Sequence, residues 1–174
     1  MWPFPVTDKP NVQVGNLWVA DRRGDYPDNE DNPWYTRDLS EINTIYIHHS
    51  VQDNDQSDED SMAGIYRHHT QGAGWPGIGY NYAVGRHGIY YVGTLETQRA
   101  HTFKHNRDGI GVVFLGTFTE VPPTQESLQQ AAEFINNLRF GLGANLPVRG
   151  HNTVSATVCP GVTVDWLGMY LDLA

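Results

Sequence analysis

Two short runs constrain the fold of this chain more than any other feature. The first, Thr44-Ile45-Tyr46-Ile47-His48-His49, is β-branched and aromatic, which reads as a buried strand. The second, residues 110–115 (Ile-Gly-Val-Val-Phe-Leu), is brief and flanked by glycine, so a central strand is favoured over a helix. Helical patterns surround them. Ser57 reads as an N-cap, with Asp60 three residues on and Asp58 and Glu59 suited to the positive helix end. That helix is expected to reach about Thr70 and stop at Gly72 and Gly74. Residues 80–84 and 89–92 read as a hairpin turning at 85–88. Thr124, behind Pro122-Pro123, caps a long helix whose Leu128, Ala131, Ile135, Leu138 and Leu142 share one face. Residues 146–148 suggest a last strand and 164–171 a closing helix.

This alternation predicts an α/β fold, a single domain with a central mixed β-sheet and helices packed on its faces, over residues 41–174. Residues 1–40, rich in Pro, Asp, Asn and Gly, read as a mostly irregular N-terminal extension. Within it, 16–20 is the one candidate strand and 21–32 an acidic surface loop.

Charge narrows the partners. Twenty acidic residues against 11 basic ones give a net charge of −9, with no Lys/Arg run. Phosphate neutralisation needs a basic patch, so no nucleic acid is expected as a partner, and no membrane surface either. The only cysteine is Cys159, so no internal disulfide can form. The start, Met1-Trp2-Pro3-Phe4-Pro5, lacks the basic and apolar regions of a signal peptide, and no apolar run is long enough to span a bilayer. The expectation is a monomer made in the cytoplasm.

The chain has eight histidines and one cysteine, and two places among them stand out. His48 ends the first core strand; His151 and Cys159 stand eight positions apart in the loop after the last one. A sheet can bring these regions together. Two imidazoles and a thiolate leave a fourth position open, as a catalytic zinc requires, and such an ion activates water near neutral pH. By spacing alone the argument is weak, since a lone cysteine is more often a small buried hydrophobe.

The wider pattern resembles the type-2 N-acetylmuramoyl-L-alanine amidases, the family shared by small phage amidases and animal peptidoglycan recognition proteins. The segments that carry the resemblance are Ile45-Tyr46-Ile47-His48-His49-Ser50, the run from Gly74-Trp75 to Gly79-Tyr80-Asn81-Tyr82, Ala100-His101 with Asn106, the strand from Ile110 to Gly116, and Gly150-His151 followed by Thr157-Val158-Cys159-Pro160-Gly161. They occur in the family's order across residues 42–166. The resemblance implies Zn2+ held by His48, His151 and Cys159, with Tyr80 over the activated water and Thr157 beside the developing oxyanion. Some phage amidases carry a lysine at the Thr157 position, while amidase-active recognition proteins carry threonine. A neutral hydroxyl is a weaker donor than a charged group. The implied reaction is hydrolysis of the amide between N-acetylmuramic acid and L-alanine in peptidoglycan, with water, Tyr80 or His101 protonating the leaving amine.

The remaining candidates are weighed against blander roles. His101 is expected to contact substrate, the alternative being a loop-stabilising hydrogen bond. Asn106 either shapes that loop or binds the stem peptide, and Trp75 is either groove wall or structural plug. Strand alternation turns His49 away from His48, into packing. His68 and His69 are read as helix-end or exposed residues, and His87 as surface. Arg86 and Arg99 are read as solvated, with pairing to a stem-peptide carboxylate as the alternative. The cluster at 53–60 lacks calcium-loop spacing.

The leading function is a phage-type endolysin acting on the cell wall after release. The rival is a recognition module that binds peptidoglycan without cutting it; in this family such binders typically lack the cysteine, and Cys159 is present. The wall-recycling branch usually carries aspartate there. A partner-binding protein reusing the fold has no feature in its favour.

Overall fold

A computed structural model describes residues 10–171; the outer ends of the extension and of the closing segment, 1–9 and 172–174, lie outside the described residues. In chain order the elements are β1 (Asn11–Val14), β2 (Leu17–Asp21), β3 (Thr44–His49), α1 (Asp58–Arg67), β4 (Tyr82–Val84), β5 (Ile89–Tyr91), β6 (Gly109–Phe114), α2 (Gln125–Leu142), β7 (Val148–Gly150) and α3 (Thr163–Leu171). The strands form one mixed seven-stranded sheet in the order β1-β2-β5-β4-β6-β3-β7. The α/β architecture expected from the alternation is the one observed.

The two runs that constrain the fold lie side by side at its centre. β3 and β6 pair in parallel, Ile45 opposite Ile110 and Ile47 opposite Val112, and every residue of both strands is buried. One sheet face packs under α2 and α3. There Ile45, Ile47, Ile110, Val112 and Phe114 meet Leu128, Ala131, Phe134, Ile135, Leu138 and Leu167. The other face carries a smaller cluster, Met62, Ile65, Ile78, Ala83, Tyr90, Val92 and Val113, beneath α1. Alternation therefore sends Tyr46 and His48 to the α1 side.

The caps are where the sequence places them. Ser57 accepts from Asp60 N and Thr124 from Ser127 N, each satisfying a backbone donor that the helix start leaves free. α2 ends at Gly143, whose φ of 63° is the left-handed conformation glycine adopts without cost.

Three boundaries differ from expectation, each for a physical reason. β4 starts at Tyr82 rather than 80, because Asn81 is held by its side chain: Nδ2 donates to Gly93 O and Thr94 O, and Oδ1 accepts from Gly111 N. β7 starts at Val148 rather than 146, past Pro147, which has no N–H for a ladder. The extension contributes two strands rather than one, β1 folding back on β2 and β2 pairing with β5. The turn between them needs Gly15, at φ 58°, where a Cβ would lie 2.3 Å from Asn137 O.

Candidate active site

The site lies at the carboxyl ends of the parallel strands, where open α/β sheets commonly bind ligands. His48 sits at the end of β3 on the α1 side. Because Ile47 pairs with Gly150, His151 emerges beside it, with ring centroids 4.7 Å apart. The loop after β7 then turns back: Asn152 N donates to Cys159 O, so Cys159 returns to the same place. The donor atoms of His48, His151 and Cys159 all lie within 4.8 Å of one another.

The donor set fits zinc. Bonds of ~2.0 Å to nitrogen and ~2.3 Å to sulfur at a tetrahedral angle put the two ligand atoms about 3.5 Å apart. His48 Nδ1 and Cys159 Sγ are 3.7 Å apart. Burial, with His101 and His151 alongside, holds His48 well below the usual histidine range, and burial lowers His151 too. Both imidazoles are thus neutral, the form that ligates. Burial pushes the Cys159 thiol up to about 11, partly opposed by the N–H of His49. Binding a metal there must displace that proton.

All three donors line a groove of roughly 620 Å³ that also includes Val51, Gln52, His68, His69, Trp75, Tyr80 and Thr157. Among the described residues, its lining holds no lysine, arginine or carboxylate. Tyr80 stands against His48, ring centroids 5.2 Å apart. Burial and the neighbouring Cys159 drive its phenol above the ordinary range, so the hydroxyl keeps its proton at neutral pH. Thr157 is exposed, and its Oγ1 accepts from Cys159 N, leaving the hydroxyl hydrogen free to donate into the groove.

Other candidates take positions the sequence does not give. His101, expected at the substrate, lines the groove beside His48 and is 6% exposed. Its Nδ1 is 3.3 Å from His48 Nε2 and 2.9 Å from Thr102 Oγ1, and its Nε2 is 3.2 Å from Gly109 O. It fits this tightly only because residue 111 is glycine: a Cβ there would lie 2.6 Å from the imidazole. Of the two roles open to Asn106, the structure shows loop shaping, since Oδ1 accepts from His101 N and Thr102 N. Trp75 is both wall and plug, half-buried in the groove lining with its ring 4.6 Å from that of His69. His49 turns away from the groove face, its Nδ1 accepting from Phe118 N.

Two readings are corrected. Arg99 is not solvated: it is 1% exposed, and its guanidinium forks onto both carboxylate oxygens of Asp28 at 2.7 Å. His69 is not a surface helix-end residue: it is buried, and its Nδ1 accepts from Gly79 N. The signal for His69 was present, since Asp58, Ser61, Met62 and Ile65 are the buried positions of α1 and position 69 continues their spacing. The helix carries on through it as a wider π-type turn, His68–Gly72. Thr102, buried against His48 Nε2 at 3.3 Å, was missed; standing next to a candidate histidine was its only signal. His68 and His87 are exposed. Arg86 is exposed and reaches Asn54 O and Asp55.

Fold and site together define a class: an α/β domain that gathers two imidazoles and a thiol at the carboxyl ends of parallel strands, the donor set of a single-metal centre open to a groove. The chain belongs to the N-acetylmuramoyl-L-alanine amidase family, Amidase_2, whose model matches residues 38–162. It is 32% identical over 105 residues to a human N-acetylmuramoyl-L-alanine amidase, a match covering 58% of this chain and 18% of that protein. It is 31% identical over 106 residues to the peptidoglycan-recognition protein SC1a of Drosophila melanogaster, covering 59% of this chain and 57% of that one. The chain thus spans little more than half of one of these relatives and a fifth or less of the other. The fold is shared with an endolysin N-acetylmuramoyl-L-alanine amidase from Clostridium intestinale, with a TM-score of 0.66 and 23% identity over 80% of this chain and 91% of that one.

Proposed function

We propose that this chain is a monomeric, zinc-dependent amidase that hydrolyses the bond between N-acetylmuramic acid and L-alanine in peptidoglycan, and that it serves as a phage-type endolysin acting on the wall after release. The observation that carries this reading is the meeting of His48, His151 and Cys159 in one groove, with Nδ1 and Sγ spaced as two ligands on one ion. A complete donor set also favours cutting over binding alone.

Zinc in this position supplies a Lewis acid for the amide carbonyl and lowers the pKa of water to ~7. The chain's own residues do the rest. Neutral His48 and His151 offer nitrogen lone pairs, and Cys159 gives up its proton to ligate. The protonated Tyr80 hydroxyl and the Thr157 hydroxyl donate hydrogen bonds to the oxygen on which negative charge develops. Both contributions are neutral, and no described residue of the groove lining adds a cationic side chain. His101 is withdrawn as donor to the leaving amine, because both its ring nitrogens are engaged behind His48. Tyr80 and water remain.

Digestion of purified peptidoglycan with and without a chelator tests this. New L-alanine amino termini, lost on chelation and restored by zinc, are expected. New reducing sugar ends would identify a glycosidase, and binding without any new ends a recognition module.

A further inference from the structure

The groove mechanism leaves one buried polar chain unused, the run Gly109–His101–His48 that passes behind the metal ligands. Gly109 O can only accept, so His101 Nε2, 3.2 Å away, carries the hydrogen. A neutral His101 then has a bare Nδ1, and that atom faces His48 Nε2 at 3.3 Å. Two bare nitrogens at this distance would repel, so His48 Nε2 must carry its hydrogen. The Thr102 hydroxyl closes the arrangement. It donates to His101 Nδ1 at 2.9 Å and accepts from His48 Nε2 at 3.3 Å. Every hydrogen is then placed, and His48 Nδ1 is left bare, 3.7 Å from Cys159 Sγ.

We infer that His101, with Thr102, is a positioning residue that selects the His48 tautomer, so that Nδ1 reaches the metal as a lone pair rather than as an N–H. The inference rests on the zinc reading for its consequence, while the hydrogen-bond chain stands on these distances and on a His101 that burial keeps neutral. The surroundings are built for it. Gly111 leaves room for the imidazole, and Asn106 Oδ1 clamps the backbone N–H groups of both His101 and Thr102. Arg37 Nη1 donates to the same Gly109 carbonyl that ends the chain, which fixes the far end. A partner on the second nitrogen commonly orients a ligating histidine, and its loss typically costs 10–100-fold in metal affinity.

The test uses zinc-free and zinc-loaded full chain. Long-range ¹⁵N NMR of the zinc-free wild type should find the His48 hydrogen on Nε2. In His101→Phe, which keeps a ring but no nitrogen, the His48 tautomers should mix, and zinc affinity by chelator competition should fall about 10–100-fold. His101→Gln, which offers one acceptor and one donor, should recover most of that loss. A wild-type His48 carrying hydrogen on Nδ1 overturns the inference, as does His101→Phe binding zinc as tightly as wild type. If His101→Phe does not fold, the wild-type spectrum and His101→Gln decide. A wild type with the expected tautomer that takes up no zinc overturns the proposed function and leaves the hydrogen-bond chain intact.

Discussion

Burial, with Cys159 alongside, raises the Tyr80 phenol above its ordinary range, so at neutral pH its use to the reaction is as a hydrogen-bond donor. Tyr80→Phe removes that donor and touches no metal ligand. Loss of one donor to a developing oxyanion costs on the order of 10²–10³-fold in turnover. The expected result is a kcat reduced by about that factor with zinc content unchanged; undiminished turnover would remove Tyr80 from the mechanism. His69, behind it, supports a different measurement. Burial, with His68 alongside, holds His69 at about 4, against ~6.5 in an unfolded chain. The unfolded chain therefore takes up the proton first. The stability this residue contributes is fully present above pH ~6.5 and is lost as pH falls through about 4, a change of about 3 kcal/mol. His69→Gln keeps an acceptor for Gly79 N and does not titrate. Urea unfolding at pH 7 and pH 4.5 should find the variant losing less stability between the two; equal losses would mean His69 is not a source of acid sensitivity.

At the scale of elements, the segment ahead of the family match is part of the frame of the site. Asp28 pairs with Arg99, and Arg37 donates to the carbonyls of Leu95, Asn106, Arg107 and Gly109. Together they hold residues 93–109, the connection that carries His101, Thr102 and Asn106. Burial lowers Arg37 to about 10, which still leaves it charged at neutral pH. Arg99 is the more exacting case, since removing its partner leaves a guanidinium inside the protein without a counter-charge. Asp28→Asn should cost about 3 kcal/mol by chemical denaturation, and amide hydrogen exchange should quicken across 93–109. A variant as stable as wild type, with unchanged exchange, would make the extension an accessory.

At the scale of the molecule, a chain with one cysteine has no internal disulfide, and the proposed metal would be the strongest staple open to it. A ligand that binds only the folded state at 1,000 times its dissociation constant stabilises by ~4 kcal/mol. For a chain of this size that is a rise in Tm of about 10 °C. Zinc should raise Tm by this order, a chelator should reverse it, and Cys159→Ser should abolish the response. A response retained in Cys159→Ser would place the ion elsewhere.

Much was legible in the sequence because it is local. The apolar runs of β3 and β6, the caps Ser57 and Thr124, and the one-faced stripe of α2 follow from backbone propensity and side-chain period, which neighbouring residues determine by themselves. The identity of the donor set was legible as residue types in a recognisable order. What only the tertiary structure decided was partnership: that His101 turns inward to His48, that Arg99 finds Asp28 across 71 positions, and that Arg37 ends at Gly109. Such pairings depend on which strands become neighbours and what room they leave. A buried charge or imidazole is satisfied by whatever group the assembled fold brings within hydrogen-bond reach, and no local pattern encodes that group.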